Sequence, residues 1–548
     1  MLASSVHLVA FAVVMATLFA PFSDAHSADA DHAAALYTTQ IQFDRNNIPV
    51  VSIGLVSGKD AIRFVSSGRL RVLPNGEGGP EVILNPQGTW TATVIEGAPA
   101  RLSWRVRLAA HAANDLSRVQ AARKLWKERG VAARPVELGS VFGFFGKVLD
   151  TRAIVLASKK TFTNRAHAEA EATRLAAKHE VETNVMPVVE ARATGKVVLT
   201  DGTSTVQADS ALFFAPVDPN TTLQIESVEF GKGFAWHGHE DRNYRGTLYL
   251  AVGPSGKLDV GNLVPAETLL RGLVPAEIYP TAPVEALKAQ AVSARGELLA
   301  KIGTRHLADP FLVCADVHCQ VYAGTKRESE ATDAAVKATA GQMLFSGERL
   351  VDTVYSANCG GHTEHSENVW NTKPTKTLRG KPDGKSAPKG DSHVHLHEWI
   401  TNPPKSFCNH PRYGKTSFRW EKEVSAKTIR TGLRKRQMDP GRIRTIEVLA
   451  RGVSGRAKQV AIAGTDRRVV LNGELAIRQT FGGLRSSMFI HEAVGPAGVP
   501  TAFKFTGGGF GHGVGMCQIG AIGRAEAGQS FQTILQHYYT GGTVERIY

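Results

Sequence analysis

Glu277 stands in the stretch LLRGLVPAEIYPTAPVEALKAQAVSARGELLAK, residues 269–301, with Pro275 and Pro280 on either side of it. Proline fixes φ and removes a backbone donor, so this spacing predicts a rigid turn around the carboxylate. Leu273, Val274 and Ile278 make its neighbours mostly apolar. Desolvation disfavours a charged carboxylate and raises its pKa. A raised pKa is what a general acid needs to protonate a leaving oxygen, a glycosidic one for example, near neutral pH. A hydrolase built on two carboxylates would need a partner ~5–10 Å away. Glu267 is a carboxylate that lies near Glu277 in sequence.

A second set of chemically able residues lies in HLADPFLVCADVHCQVY, residues 306–322. His306, Cys314, His318 and Cys319 supply two imidazoles and two thiols, a tetrahedral set of the kind zinc favours. The competing use is a disulfide from Cys314 or Cys319 to Cys359 or Cys408. With Cys517 the cysteines number five, so pairing leaves at least one over. His393, His395, His397 and His410 gather near Cys408, where a loop with spare histidines is the simpler reading. The stretch GGGFGHGVGMCQIGA, residues 507–521, has six glycines between 507 and 515. Such a loop lets backbone approach a ligand closely. It lacks G-K-[ST], which argues against a phosphate loop.

The elements that must position these residues belong to a chain of 548 residues, long enough for several domains. Apolar residues make up 43% and charged residues 21%, an ordinary globular balance, and the formal net charge is +14. A basic surface suits an acidic polymer: nucleic acid, anionic lipid or cell-wall glycan. Residues 7–20, HLVAFAVVMATLFA, followed by Ser23 and Ala25, read as a signal peptide over residues 1–25. The segment before the run lacks Lys and Arg, so an uncleaved anchor is the alternative. Export to the periplasm or cell envelope argues against nucleic acid as a partner.

Alternation between residues 48 and 108 predicts a meander of short antiparallel strands, and residues 115–130 a charged helix. From Arg152 a strand, a cap at Thr163-Asn164, an Ala/Glu-rich helix and two more strands follow. Helices are expected at 284–301 and 328–342, and the stretch KTLRGKPDGKSAPKGD at 376–391 reads as a mobile surface loop.

Several segments together resemble the SpoIID/LytB family. NLVPAETLLRGLVPAEIYP followed by EALKAQAVSAR is similar to the family signature, with Leu269 in place of a tyrosine. CQVYAG at 319–324, YSANCGGHTEHSENVW at 355–370 and the glycine loop agree with it, over most of residues 225–548. The 152–202 stretch resembles half of a SPOR domain, a small module that binds denuded glycan strands.

The resemblance implies an α+β fold in which antiparallel sheets frame a helical catalytic subdomain and a glycan groove. The expected divisions are 32–130, a SPOR-like insert at 136–215, a catalytic core at 222–370, a basic His-rich loop at 371–414 and a C-terminal part at 415–548. It further implies a lytic transglycosylase of peptidoglycan with Glu277 as its single acid/base. Lys288, Arg295, Ser356, His362, Thr363, His512 and Gln518 would line the glycan site. Asn358 would stand in the same wall. A structural zinc at His306, Cys314, His318 and Cys319 is implied as well, and no organic cofactor. The family's LytB branch offers the alternative of a non-catalytic enhancer of a cell-wall amidase.

Overall fold

The computed structural model describes residues 36–548 except 40, 75–81, 85–87, 145–146, 180, 182, 232–236, 317, 371–373 and 388–392. The expected signal peptide lies outside the described residues. No described helix is long and apolar enough to cross a membrane.

Two antiparallel sheets share the first core. One runs through Gln42–Phe43, Pro49–Lys59, Leu258–Pro265, Thr247–Val252, Ala211–Pro216, Leu70–Leu73 and Val82–Leu84, with Val313–Cys314 added in parallel beside Pro49–Lys59. The other runs through Thr205–Asp209, Thr194–Thr200, Trp90–Ala98, Ala61–Ser66, Leu223–Phe230 and Gly238–Tyr244. Ile53, Phe64, Trp90, Val197, Phe214 and Leu250 meet in the same buried cluster. The expected meander is therefore corrected. Residues 49–108 are dealt out among three sheets, because alternation gives a strand's faces but not its neighbours.

Residues 101–191 form a separate four-stranded sheet in the order Asn184–Ala191, Arg101–Ala112, Ala153–Ser158, Ala133–Leu138. Helices α1 (Leu116–Glu128) and α2 (Arg165–His179) complete a β-α-β-β-α-β unit, the ferredoxin-like arrangement. Asp115 caps α1 by accepting from the Arg118 amide at 3.2 Å. Asn164 caps α2 by accepting from the Ala166 amide at 2.8 Å. The unit begins some way before the expected insert and ends before its boundary. Its first strand and helix read as part of the preceding meander, and a hairpin, Val141–Phe144 with Lys147–Asp150, separates its halves.

The strand Leu258–Pro265 runs straight into helix α3 (Ala266–Glu277), and α4 (Val284–Ala300) follows after a short turn. Helix α4 is buried at nearly every position from Ala286 to Leu299, so it is wrapped on all sides and its polar side chains Gln290, Arg295 and Glu297 are enclosed with it. Helices α5 (Gln518–Glu526) and α6 (Phe531–Tyr538) pack on it from the far end of the chain. The last strand, Thr543–Arg546, pairs with Gln342–Ser346. A second core, built on Phe481, Phe489, Phe503 and Phe505, lies within the region between residues 420 and 505.

Gly272 is where α3 meets the loop after the metal-type cluster. A Cβ there would stand 2.3 Å from the Gly324 carbonyl oxygen and 2.7 Å from the Tyr322 ring. Backbone cannot yield as a side chain would. Gly272→Ala is expected to cost about 1–3 kcal/mol, seen as a lower urea midpoint with unchanged slope.

The stretch 376–391 is not simply a surface loop. Leu378 and Asp383 within it are buried, and His393–Thr401 beyond it is helical. A high proportion of Lys, Gly and Pro hid a carboxylate, Asp383, that is fully buried.

Candidate active site around Glu277

Glu277 is the last residue of α3, with Pro275 inside the helix, so the expected isolated turn is corrected to a helix end. The amide of Ile278 still closes on the Val274 carbonyl at 3.0 Å. The Glu277 carboxylate, half-buried, accepts from the Val321 amide at 2.9 Å. Its backbone carbonyl accepts from the Gln518 side-chain amide at 2.8 Å, and Gln518 also donates to Gln290 at 3.1 Å. Burial raises the Glu277 carboxyl above its ordinary value, opposed by the Val321 hydrogen bond and the charge of Lys301. A position at the negative end of a helix acts in the same direction as burial.

Behind Glu277 lies a buried polar cluster that the sequence reading did not anticipate. Glu297 and Lys301, four apart on the last turns of α4, form an ion pair. Gln320 donates to Glu297 at 2.9 Å, and Lys301 donates to the Cys319 carbonyl at 3.1 Å. Burial pushes the Glu297 carboxyl up to about 7 despite Lys301. Burial also lifts the Tyr355 phenol well above its usual range, with the charges of Glu277 and Glu297 adding to it. The i,i+4 Glu-Lys spacing was the one visible signal of this cluster. A backbone donor such as Val321 leaves none.

Tyr279, two residues on from Glu277, is 52% exposed and lies 5.0 Å from the Tyr413 ring. Trp370 and His512 are 5.1 Å apart. Nδ1 of His512 accepts from the Val514 amide at 3.0 Å, and a hydrogen bond to Tyr355 backbone also engages the ring. Burial, with the charges of Arg456 and Arg478, holds His512 neutral at about 3. It is a fixed wall residue.

The other expected glycan-site residues separate. Arg295 is fully buried, its guanidinium gripping Glu267 at 2.7 and 2.8 Å and the Gln342 carbonyl at 3.0 Å. The expectation that Arg295 touches substrate is overturned, because no part of it reaches solvent. Lys288 pairs with Glu285 at 2.7 Å over the Phe531 ring. Ser356, His362 and Thr363 are buried. His362 Nδ1 lies 2.6 Å from the Thr363 carbonyl, and the Thr363 hydroxyl donates to the Lys381 carbonyl at 3.2 Å. Asn358, also buried, donates to the Cys408 carbonyl at 3.0 Å. All four are buried within the fold.

His306, Cys314, His318 and Cys319 come together with their ligand atoms all within 4.8 Å of one another. Cys319 Sγ lies 3.4 Å from His306 Nε2 and 3.7 Å from His318 Nδ1, and Cys314 Sγ lies 3.7 Å from His318 Nδ1. Bonds of about 2.3 Å to sulfur and 2.0–2.1 Å to nitrogen give a tetrahedral S···N edge of roughly 3.5 Å, so the residues fit zinc. Asp309 holds His306 Nδ1 at 2.7 Å, the outer carboxylate that orients a ligating imidazole. Among the described residues, His395, His397 and His410 join no such cluster. His410 is taken by Glu526 at 2.8 Å.

Comparison with known proteins bears on this same region. The family described as stage II sporulation protein (SpoIID) matches residues 254–345, and a domain of unknown function (DUF8618) matches residues 364–515. An uncharacterized protein of Brachyspira hyodysenteriae is 27% identical over 314 residues, 56% of this chain and 73% of that protein. The amidase enhancer of Bacillus subtilis is 28% identical over 298 residues, 50% of this chain and 40% of the enhancer. A crystal structure of an exported protein from Burkholderia pseudomallei aligns over 32% of this chain at 16% identity with a TM-score of 0.16, too little to carry an argument. The SpoIID match covers the helix that ends in Glu277, the buried Glu267–Arg295 pair and the His/Cys cluster, so this part of the chain is similar to the SpoIID family, and the similarity to the enhancer points the same way.

Proposed function

We propose that this protein is a lytic transglycosylase acting outside the cytoplasm on peptidoglycan glycan strands, with Glu277 as its one acid/base. The observation that carries this reading is the state of that carboxyl: half-buried, raised above its ordinary value, and fixed by the Val321 amide. The neighbouring carboxyls are otherwise engaged. Glu297 is bound by Lys301 and Gln320, and Glu267 by Arg295 and Tyr548. These partners support a reading in which Glu277 acts without the second carboxylate that a two-carboxylate hydrolase requires.

In the proposed reaction Glu277 gives its proton to the oxygen bridging N-acetylmuramic acid and N-acetylglucosamine as the C1–O bond breaks. The resulting carboxylate takes the proton of the muramic acid 6-hydroxyl, whose oxygen bonds to C1. An anhydro ring closes, Glu277 is protonated again, and no water is consumed. The exposed Tyr279 ring suits stacking on a sugar face. Zinc at the His/Cys cluster would supply no chemistry, since four protein ligands leave no open position. It would steady the 319–321 segment from which the Val321 amide reaches Glu277.

Mass spectrometry of denuded glycan strands after incubation with the protein tests the reading. Anhydro-muramic ends support it, and reducing ends without the ring would point to hydrolysis. Strands left intact by a protein that still binds them would favour the second reading, an amidase enhancer, for which the similarity to the Bacillus subtilis protein speaks.

The pH profile offers a finer check. General acid catalysis needs Glu277 protonated, so activity should fall as pH rises through its raised pKa. Lys301 lowers that pKa. Lys301→Met removes that charge and leaves any negative charge on Glu297 unopposed, so the alkaline limb should move to higher pH. A limb that stays in place or moves down would remove Glu277 as the group responsible.

A further inference from the structure

Cys359, Asp383, Cys408 and Cys517 come from four separate stretches of chain, and their sulfur and carboxylate oxygen atoms all lie within 4.8 Å of one another. Each of the four residues is 0% exposed. The Cys359 and Cys408 sulfurs are 3.6 Å apart. That is close to the ~3.8 Å edge of a tetrahedron with zinc–sulfur bonds of about 2.3 Å.

The surroundings are those of a ligand set. Cys517 Sγ accepts from the Cys359 amide at 3.1 Å and the Gly520 amide at 3.3 Å, at the start of α5. Backbone donors at a helix N-terminus favour thiolate, the form that binds metal. Asp383 accepts from the Cys408 amide at 2.8 Å with one oxygen. Its other oxygen accepts from the Tyr538 hydroxyl at 2.6 Å and from Arg524 at 3.3 Å. Ligating carboxylates are held by outer partners in this way. The carboxylate can lie against α5 because residue 520 is glycine. A Cβ there would fall 2.7 Å from the Asp383 oxygens and 2.2 Å from the Tyr538 hydroxyl.

Once ionised to bind a metal, three thiols and a carboxyl would carry more negative charge than Arg524 alone offsets, which a divalent cation would counter. We propose that Cys359, Cys408, Cys517 and Asp383 form a second closed site for a thiophilic divalent ion of the zinc class, separate from the His306–Cys319 cluster. Binding displaces the remaining thiol protons, and it adds directly to folding free energy because the four segments meet only in the folded chain.

The placement gives the ion a task. Cys517 directly precedes Gln518, whose side chain holds the Glu277 carbonyl. Cys319 lies two residues before Val321, whose amide holds the Glu277 carboxylate. Each thiol set thus fixes one of the two segments that touch Glu277. The inference stands apart from glycan cleavage, because its readout is metal content.

The test is zinc per chain in the purified full-length protein, by inductively coupled plasma mass spectrometry, with thiol mapping under non-reducing conditions. The expected ratio is about two, falling to about one in Cys517→Ser, in Asp383→Asn and in Cys319→Ser. The Cys314→Ser/Cys319→Ser chain should still bind cobalt(II) with a thiolate charge-transfer band. A native ratio of about one that Cys517→Ser leaves unchanged, or a Cys359–Cys408 disulfide in the native protein, overturns the proposal. The disulfide outcome is read on the native protein alone, so a variant that fails to fold does not rescue the idea.

Discussion

Glu277→Gln is expected to lower glycan cleavage by roughly 10²–10⁴-fold while leaving the fold intact. The glutamine keeps the shape of the side chain and can still accept from the Val321 amide through its carbonyl oxygen. What it loses is the proton exchanged with the bridging oxygen and the muramic acid hydroxyl. Stability should move the other way. A carboxyl whose folded pKa lies above its unfolded value favours folding at low pH, and that contribution is lost as pH rises through the folded pKa. The native protein therefore carries an unfavourable ionisation at neutral and higher pH that the Gln variant lacks. Its melting temperature at pH 8 should equal or exceed the native one, while at pH 4 the difference should vanish or reverse. Cleavage within tenfold of native would remove Glu277 from the chemistry. Lost cleavage with a lower melting temperature at pH 8 would make it a packing residue.

The parts of this site that could be read from sequence are those whose chemistry sits in a short run of side chains. Glu277 with its flanking prolines, the His306–Cys319 ligand set and the Asn164 cap are local patterns, and the structure places their atoms within reach of one another. What escaped depends on distant neighbours. Arg295 lies on a helix whose sequence gives no strong polar face, so its burial against Glu267 was invisible until α3, α4 and the end of the chain were in place. Asp383 was hidden by the lysines and glycines around it. Cys517 looked incidental until the folded chain set it beside Cys359 and Cys408. The ferredoxin-like unit was divided in the wrong place because strand order is a property of pairing, and alternation leaves pairing open.

Arg295→Met is expected to destabilise the protein by about 3–5 kcal/mol, because it leaves the Glu267 carboxylate without its buried counter-charge. The geometry explains the size. Arg295 meets Glu267 through two parallel hydrogen bonds, and the Tyr548 hydroxyl and Gly341 amide add donors at 2.8 and 3.3 Å. Removing both charges should recover most of the loss, so Arg295→Met/Glu267→Met should lie well above the single variant in urea unfolding. A single variant within about 1 kcal/mol of native would show that the pair is not the anchor described. The same helix makes the contrast instructive. The tetrapeptide Val-Pro-Ala-Glu occurs at 264–267 and again at 274–277, and α3 begins within the first copy and ends with the second. Glu267 sits in the first turn, where the helix dipole favours a carboxylate and Arg295 pairs with it. Glu277 sits at the last residue, where the dipole and burial both disfavour the charge and only Val321 and Lys301 oppose them. One copy therefore becomes an ion-paired anchor and the other carries the carboxyl proposed as proton donor, with no difference between the two sequences themselves.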